Sequence, residues 1–190
     1  HMGVSAFAEY TTVSRQSVVK VDRSLGFAEA AVFGCAVITG TGAVINTAQL
    51  PLERSVAVIG LGGVGLAALL GARMQQARTL VAVDLSNDKL ALARSLGATH
   101  TFNAADADCA EAIREATSGG VEYAFEMAGS VKAMEMAYRI TRRGGTTVTA
   151  GLPHPQAQFS IAQTLLVAEE RTIKGSYLGS CVPERDIPRY

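Results

Sequence analysis

Ser55-Val-Ala-Val-Ile-Gly-Leu-Gly-Gly-Val-Gly-Leu-Ala-Ala-Leu-Leu70, followed by Thr79-Leu-Val-Ala-Val-Asp84, is the stretch that decides the fold of this chain. A short apolar strand runs into Gly60-x-Gly62-x-x-Gly65, which opens a helix. A second apolar strand then ends on one carboxylate, Asp84. Strand, glycine turn, helix, strand and acid, in that order, form the dinucleotide-binding fingerprint in its structural context. Gly60 permits a tight turn, Gly62 lets backbone approach a pyrophosphate, and Gly65 lets the helix pack closely on the first strand. The first helical amides, near Gly63 and Val64, aim unpaired N–H groups and the positive end of the helix dipole at the phosphates. A glycine turn with packing value alone is the competing account. Val56, Val58 and Ile59 before it, and Leu66, Ala67, Leu69 and Leu70 after it, favour binding.

Asp84 is suited to accept hydrogen bonds from an adenosine ribose. It could instead cap the helix that begins near Ser86, and the two roles compete for the same oxygens. The ribose role selects the cofactor. A carboxylate about 4 Å from a 2′-phosphate costs roughly 4 kcal/mol per charge at an effective dielectric near 20, and no arginine at 85–88 reverses that. NAD is therefore predicted over NADP by more than about tenfold. Lys89, one turn into the helix, is either a further contact for the ribose hydroxyls or a solvated lysine.

Composition agrees with a covered parallel sheet. Of 190 residues, 48% are hydrophobic and only 18% charged, with 19 glycines, as in an α/β protein whose strands are buried on both faces. The net charge is zero, so nothing favours capture of nucleic acid or an anionic membrane. No apolar run in the sequence reads as approaching the ~20 residues of a membrane span. No secretory signal is visible, and His1-Met2 reads as a cloning remnant. Cys35, Cys109 and Cys181 give no disulfide framework, which predicts a reducing cytoplasm.

Three regions differ in character. Residues 3–22 read as extended, with strand-like Phe7-Ala-Glu-Tyr-Thr-Thr-Val and Ser17-Val-Val-Lys-Val but no obvious partners. Residues 26–50 read as helical and are closed by Pro51. From Ser55 onward strand and helix alternate. Strands are predicted at 55–60, 79–84, 99–103, 122–127, 146–151 and 171–178, and helices at 63–75, 86–96, 107–117, 130–140 and 160–168. Ser86 can cap the second of these helices and Gly97 can end it, whereas Gln75-Gln76-Ala77 offers the first no terminal glycine. Arg142-Arg143 reads as a solvated turn before Gly144-Gly145. Right-handed crossovers then give a doubly wound, six-stranded parallel Rossmann sheet of order 3-2-1-4-5-6.

The ends of the fourth and fifth strands, Glu126-Met-Ala-Gly and Thr149-Ala-Gly-Leu-Pro, fall where the crevice of such a sheet opens. Small residues there, Ala128 among them, leave room for a nicotinamide ring. Backbone near Ala150 and Leu152 is suited to its carboxamide, although ordinary strand-end turns look alike. Glu126 reads as an acid satisfied by neighbouring backbone rather than a catalytic one. His100 and His154 form no pair, and no Ser-His-Asp arrangement is legible. Cys35 alone reads as a small buried apolar side chain. Zinc needs three protein ligands plus water, or four, and the chain has no Cys-x-x-Cys and no histidine near Cys35.

Gly34-Cys-Ala-Val-Ile-Thr-Gly-Thr-Gly-Ala nevertheless closely resembles the zinc-dependent medium-chain alcohol dehydrogenases, whose Gly-Cys-x-x-x-Thr-Gly-x-Gly segment precedes the dinucleotide fold. Gly3-Val-Ser-Ala-Phe-Ala-Glu-Tyr-Thr is similar to an extended segment late in that family's catalytic domain. Gly60-Leu-Gly-Gly-Val-Gly-Leu resembles its phosphate turn, and Val83-Asp-Leu-Ser-Asn-Asp-Lys-Leu its ribose segment. Gly97-Ala-Thr and Gly120-Val-Glu-Tyr-Ala-Phe-Glu resemble later landmarks. The resemblance implies oxidation of a small-molecule alcohol to an aldehyde or ketone with NAD, a zinc ion polarising the substrate oxygen. It makes Cys35 a zinc ligand and sets Thr39 beside the nicotinamide. It implies a homodimer or homotetramer through residues 172–178. It also divides the chain into residues 1–33, a remnant of a truncated GroES-like catalytic domain with a short β segment, and residues 34–190, the NAD-binding domain. The family's other zinc ligands and its proton relay have no counterpart in this sequence. The expectation is a fragment that binds NAD, holds no catalytic zinc and turns over no alcohol.

Three other readings stand beside this one. A zinc-free quinone or enoyl reductase of the same superfamily would not need Cys35 and would prefer NADPH, against Asp84. A non-catalytic module sensing NAD would leave the Gly-Cys-x-x-x-Thr-Gly segment unexplained. A methyltransferase would carry an acid just before its glycine turn, where Val58-Ile59 stands.

Overall fold

The computed structural model describes residues 7–190. Six parallel strands form one sheet: β1 (Ser55–Ile59), β2 (Thr79–Asp84), β3 (His100–Asn103), β4 (Val121–Glu126), β5 (Thr141–Thr149) and β6 (Thr172–Gly175), in the order β3-β2-β1-β4-β5-β6. The crossovers carry helices Gly63–Met74, Asn87–Ser95, Cys109–Ala116, Val131–Ile140 and Gln163–Ala168. Order and element types match the sequence expectation, and most boundaries agree to within a few residues.

The central strand explains the sheet. Every residue of β1 is buried, with Val58 paired to Ala82 of β2 on one side and Phe125 of β4 on the other. Side chains alternate between faces. Val56 and Val58 join a core with Leu69, Ala72, Leu80 and Phe125, while Ala57 and Ile59 join one with Val83, Ile113, Ala124 and Ile140. A strand apolar on both faces is stable only between two helical layers, which is why β1 and β2 read as continuous apolar runs.

Three expectations need correction. Residues 3–6 lie outside the described residues. Residues 7–22 form no strand: they make bends and one 3-10 turn at Arg15–Ser17, with extended backbone at Ser14 and Val18. A β segment needs a neighbour for its ladder, and the sheet offers these residues none. Second, Phe27–Thr47 is one helix of 21 residues and mean hydropathy 1.7, long and apolar enough by length and composition to cross a membrane. Its C-terminal half is core instead. Residues Ile38 to Val44 are all buried, and Gly40 lies so close to the Gly63–Met74 helix that a Cβ there would be 2.1 Å from the Val64 carbonyl oxygen. Two π turns, Phe33–Val37 and Ala43–Thr47, interrupt this helix.

Third, β5 begins at Thr141, before the glycine pair. Its register against β4 jumps from Val121–Thr141 to Tyr123–Thr146, a bulge that Gly144 accommodates at φ +70°. Arg142 is consequently a strand residue rather than a turn residue, still exposed, and it donates to Glu122 Oε1 at 2.8 Å, as Arg54 also does. The Gly63–Met74 helix does end at Gln75-Gln76-Ala77 without glycine, because Gln76 takes the left-handed conformation, φ 55°. Gln76 N–H donates to Arg73 O (2.9 Å) and Ala77 N–H to Ala72 O (3.1 Å), the two bonds of a Schellman end.

Candidate functional site

A cleft of about 500 Å³ opens at the carboxyl ends of β1, β2 and β4, its walls including Gly60, Gly62, Asp84, Lys89, Ala128 and Met136. The glycine turn shapes it. Gly60 has φ +90°, and a Cβ there would meet the Ala128 Cβ at 2.7 Å. A Cβ on Gly65 would lie 1.7 Å from the Gly60 carbonyl oxygen, so only glycine lets the helix start this close to β1. At Gly62 a Cβ would meet nothing within 4 Å: the space in front of it is open. Leu66 N–H makes the first helical bond, to Gly62 O at 2.8 Å. The amides of Gly63, Val64 and Gly65 precede it and are the orphan donors of a helix start. Gly62 caps that start with no side-chain hydrogen bond, which leaves it suited to an anion.

Asp84 closes β2 at the same mouth. Its Oδ2 accepts the Leu61 N–H at 2.7 Å, its Oδ1 accepts the Ser86 N–H at 3.0 Å, and Lys89 Nζ lies 3.8 Å from Oδ2. The carboxylate thus joins the glycine turn to the residue that precedes the Asn87–Ser95 helix, and caps none of that helix's first-turn amides. A carboxylate has about four acceptor positions, so two remain after both amides are served.

Beyond Ala128 the wall is built around Glu126, which is 1% exposed. Its Oε1 accepts the N–H groups of Ala128 (2.8 Å) and Gly129 (2.6 Å), and its Oε2 accepts the Thr149 hydroxyl at 2.7 Å. This is the backbone-satisfied acid that the sequence suggested. Ala150 N–H donates to the Glu126 carbonyl at 3.0 Å, and a Cβ on Gly129 would lie 3.1 Å from the Leu152 amide nitrogen. The turn after β4 and the end of β5 thus lie against each other.

Gly60, Gly62, Asp84, Lys89 and Ala128 are brought together on the cleft; Gly63, Val64, Gly65, Thr39, Ala150, Leu152 and Cys35 are not among its lining residues. Thr39 is buried on the long helix and its hydroxyl has no hydrogen-bond partner. Cys35 lies on the first π turn and is exposed, which corrects the buried reading. That turn reaches the glycine segment through Ala36, whose Cβ would be 3.3 Å from a Cβ on Gly63. Leu85, Lys132 and Met136 line the cleft without having been singled out. Leu85, an apolar residue 70% exposed directly after the acid, was the legible signal among them.

The residues lining the cleft fit a dinucleotide: open space at Gly62 and an acid with spare acceptor capacity. They do not fit a zinc ion. Among the described residues no group of three or more His, Cys, Asp or Glu could hold a metal. Burial, aided by Asp106, Asp108 and Glu111, pushes the Cys109 thiol up to about 11, and burial beside Asp186 pushes Cys181 to about 11.

Residues 63–189 match the family described as zinc-binding dehydrogenase. The chain is 36% identical to alcohol dehydrogenase 1 of Oryza sativa subsp. indica over 98% of its length, and 37% identical to alcohol dehydrogenase 1 of Zea luxurians over the same share. It spans 50% and 64% of those relatives. Benzyl alcohol dehydrogenase from Acinetobacter calcoaceticus superposes with a TM-score of 0.93 at 33% identity, covering 98% of this chain and 51% of that one. An alcohol dehydrogenase zinc-binding domain protein from Burkholderia ambifaria superposes with a TM-score of 0.86 at 36% identity, covering 90% of this chain and 46% of that one.

Proposed function

The chain belongs to the zinc-binding dehydrogenase family, and on that premise we propose that it is the NAD-binding part of an alcohol dehydrogenase. The observation that carries the reading is the Asp84 carboxylate fastened to the glycine turn through the Leu61 amide, on the wall of an open cleft. The amides after Gly62, those of Gly63, Val64 and Gly65, would hold the diphosphate. Asp84 would hold the adenosine ribose, with Lys89 as its nearest cation, and would repel a 2′-phosphate. Thr39, Ala128, Ala150 and Leu152 would border the nicotinamide half. When bound, the nicotinamide supplies the hydride acceptor. This chain's residues bind it, orient it through the glycine turn, and keep water from one side with the apolar wall of Ile59, Met127 and Met136.

The alcohol substrate and the oligomer are proposed for a whole enzyme of this kind. Cys35 is proposed as one zinc ligand there, with the remaining ligands outside the described residues; no step is drawn through the metal. A homodimer or homotetramer is proposed through the edge strand β6, which ends at Gly175 short of the expected residue 178, and the residues after it, where Tyr177 and Leu178 are exposed. Residues 1–33 are assigned to the GroES-like domain and 34–190 to the nucleotide-binding domain, in a reducing cytoplasm that suits three free cysteines.

Calorimetric titration of the purified chain tests the reading. NAD should bind with a dissociation constant more than about tenfold below that of NADP. Equal constants would overturn the cofactor assignment, and no binding of either would overturn the site.

A further inference from the structure

We infer that Glu126 is the positioning residue for the nicotinamide half of the site, an inference that rests on the dinucleotide reading above. Three features of its surroundings carry it. First, one buried carboxylate joins two separate stretches of chain. Oε1 gathers the Ala128 and Gly129 amides of the turn after β4, and Oε2 takes the Thr149 hydroxyl at the end of β5. Its own carbonyl accepts the amides of Ala150 (3.0 Å) and Gly151 (3.3 Å). Second, the space is exhausted. A Cβ on Gly151 would lie 2.6 Å from Glu126 Oε2 and 2.2 Å from the Gly129 nitrogen, and one on Gly60 would meet Ala128 at 2.7 Å. Ala128 is therefore wedged between the glycine turn and the carboxylate. Third, Glu126 does not line the cleft, so it acts through Ala128 and Ala150 rather than on a ligand.

A carboxylate suits this post because it only accepts, and its partners here are two amides and a hydroxyl. An apolar replacement of like size would leave both amides unpaired and let the turn drift from the end of β5. A glutamine keeps both amides on its carbonyl oxygen and can meet Thr149 with its NH2, since a hydroxyl also accepts.

The test compares NADH, whose nicotinamide fluorescence reports the ring's surroundings, with ADP, which fills only the adenosine and phosphate half. In the 190-residue chain, Glu126→Leu, which leaves both amides unpaired, should weaken NADH about tenfold and leave ADP within about twofold. Glu126→Gln should recover NADH binding to within about threefold of wild type. If thermal melting shows that Glu126→Leu does not fold, Thr149→Val decides: it removes only the Oε2 contact and should weaken NADH about threefold with ADP unchanged. Parallel weakening of NADH and ADP, failure of Glu126→Gln to recover binding, or wild-type behaviour of Thr149→Val would each overturn the inference while leaving the nucleotide site standing. A wild-type chain that binds neither ligand would overturn the site itself and the inference with it.

Discussion

The Leu61 amide donates to Asp84 Oδ2 at 2.7 Å, so the residue that ends β2 also fastens the turn that follows β1. One carboxylate thereby fixes the shape of the glycine turn and presents its oxygens at the mouth of the cleft.

Replacing that charge separates its two tasks. Asp84→Asn keeps an oxygen for the Leu61 amide but no longer repels a 2′-phosphate. NAD binding should weaken by about tenfold, and NAD and NADP should come within about threefold of each other. Calorimetry with both nucleotides checks this. A variant that still prefers NAD more than tenfold would locate discrimination elsewhere.

The glycines of the turn should respond oppositely to one added methyl group. Gly65→Ala drives a Cβ to 1.7 Å from the Gly60 carbonyl, and should cost about 2–4 kcal/mol of stability. Gly62→Ala meets nothing within 4 Å. It should change stability by less than about 0.5 kcal/mol, yet weaken NAD about tenfold or more by filling the cradle. Denaturant unfolding and nucleotide titration of both variants read the two effects separately. Normal NAD affinity in Gly62→Ala would mean that no phosphate approaches that backbone.

Acid should loosen the fold at two buried carboxylates, Glu122 and Asp186. Burial raises the Glu122 pKa, but the Ser55 amide and hydroxyl, with Arg54 and Arg142, outweigh it and hold the group below its ordinary value. The Arg185 guanidinium holds the fully buried Asp186 well below the usual carboxylate range. Both groups are charged more readily folded than unfolded. Their contribution is complete above the unfolded values near pH 4 and is lost as pH falls through the folded ones. The melting temperature should therefore drop below about pH 4. Glu122→Gln should cost about 1–3 kcal/mol at neutral pH and flatten that drop. A wild-type melting temperature independent of pH from neutral to about pH 3 would contradict this account.

Local periodicity is what made the fold legible. β1 and β2 are apolar on both faces, and that pattern with a glycine turn between them admits little besides a covered parallel sheet. Gly60, Gly62, Asp84 and Ala128 converge as the motif requires because each lies at a strand end, where topology alone delivers it to the cleft. What stayed hidden depends on partners distant in sequence. The bulge that starts β5 at Thr141 is set by pairing with Val121, and Arg142 finds Glu122 only through that bulge. Lys132 and Met136 reach the cleft on a helix that returns from β4. Cys35 is exposed because its half of the long helix has little packed against it among the described residues, and no window around Cys35 records that.

Gln76 offers a stability test independent of any ligand. At φ 55° it holds the left-handed position of the Schellman end that follows the Gly63–Met74 helix, a conformation costing a side-chain-bearing residue roughly 1–2 kcal/mol relative to glycine. Glycine relieves that strain but adds freedom to the unfolded chain worth about 0.4–1 kcal/mol. Gln76→Gly should therefore stabilise the fold by about 0.5 kcal/mol. Gln76→Pro fixes φ near −65° and deletes the N–H that donates to Arg73 O, and should destabilise by about 3 kcal/mol or more. Urea unfolding of the two variants against wild type measures both signs. Because this helix end lies at the opposite end of the helix from the glycine turn, NAD affinity should stay unchanged in Gln76→Gly. A loss of stability in that variant would mean the Gln76 side chain, rather than backbone geometry, holds the helix end.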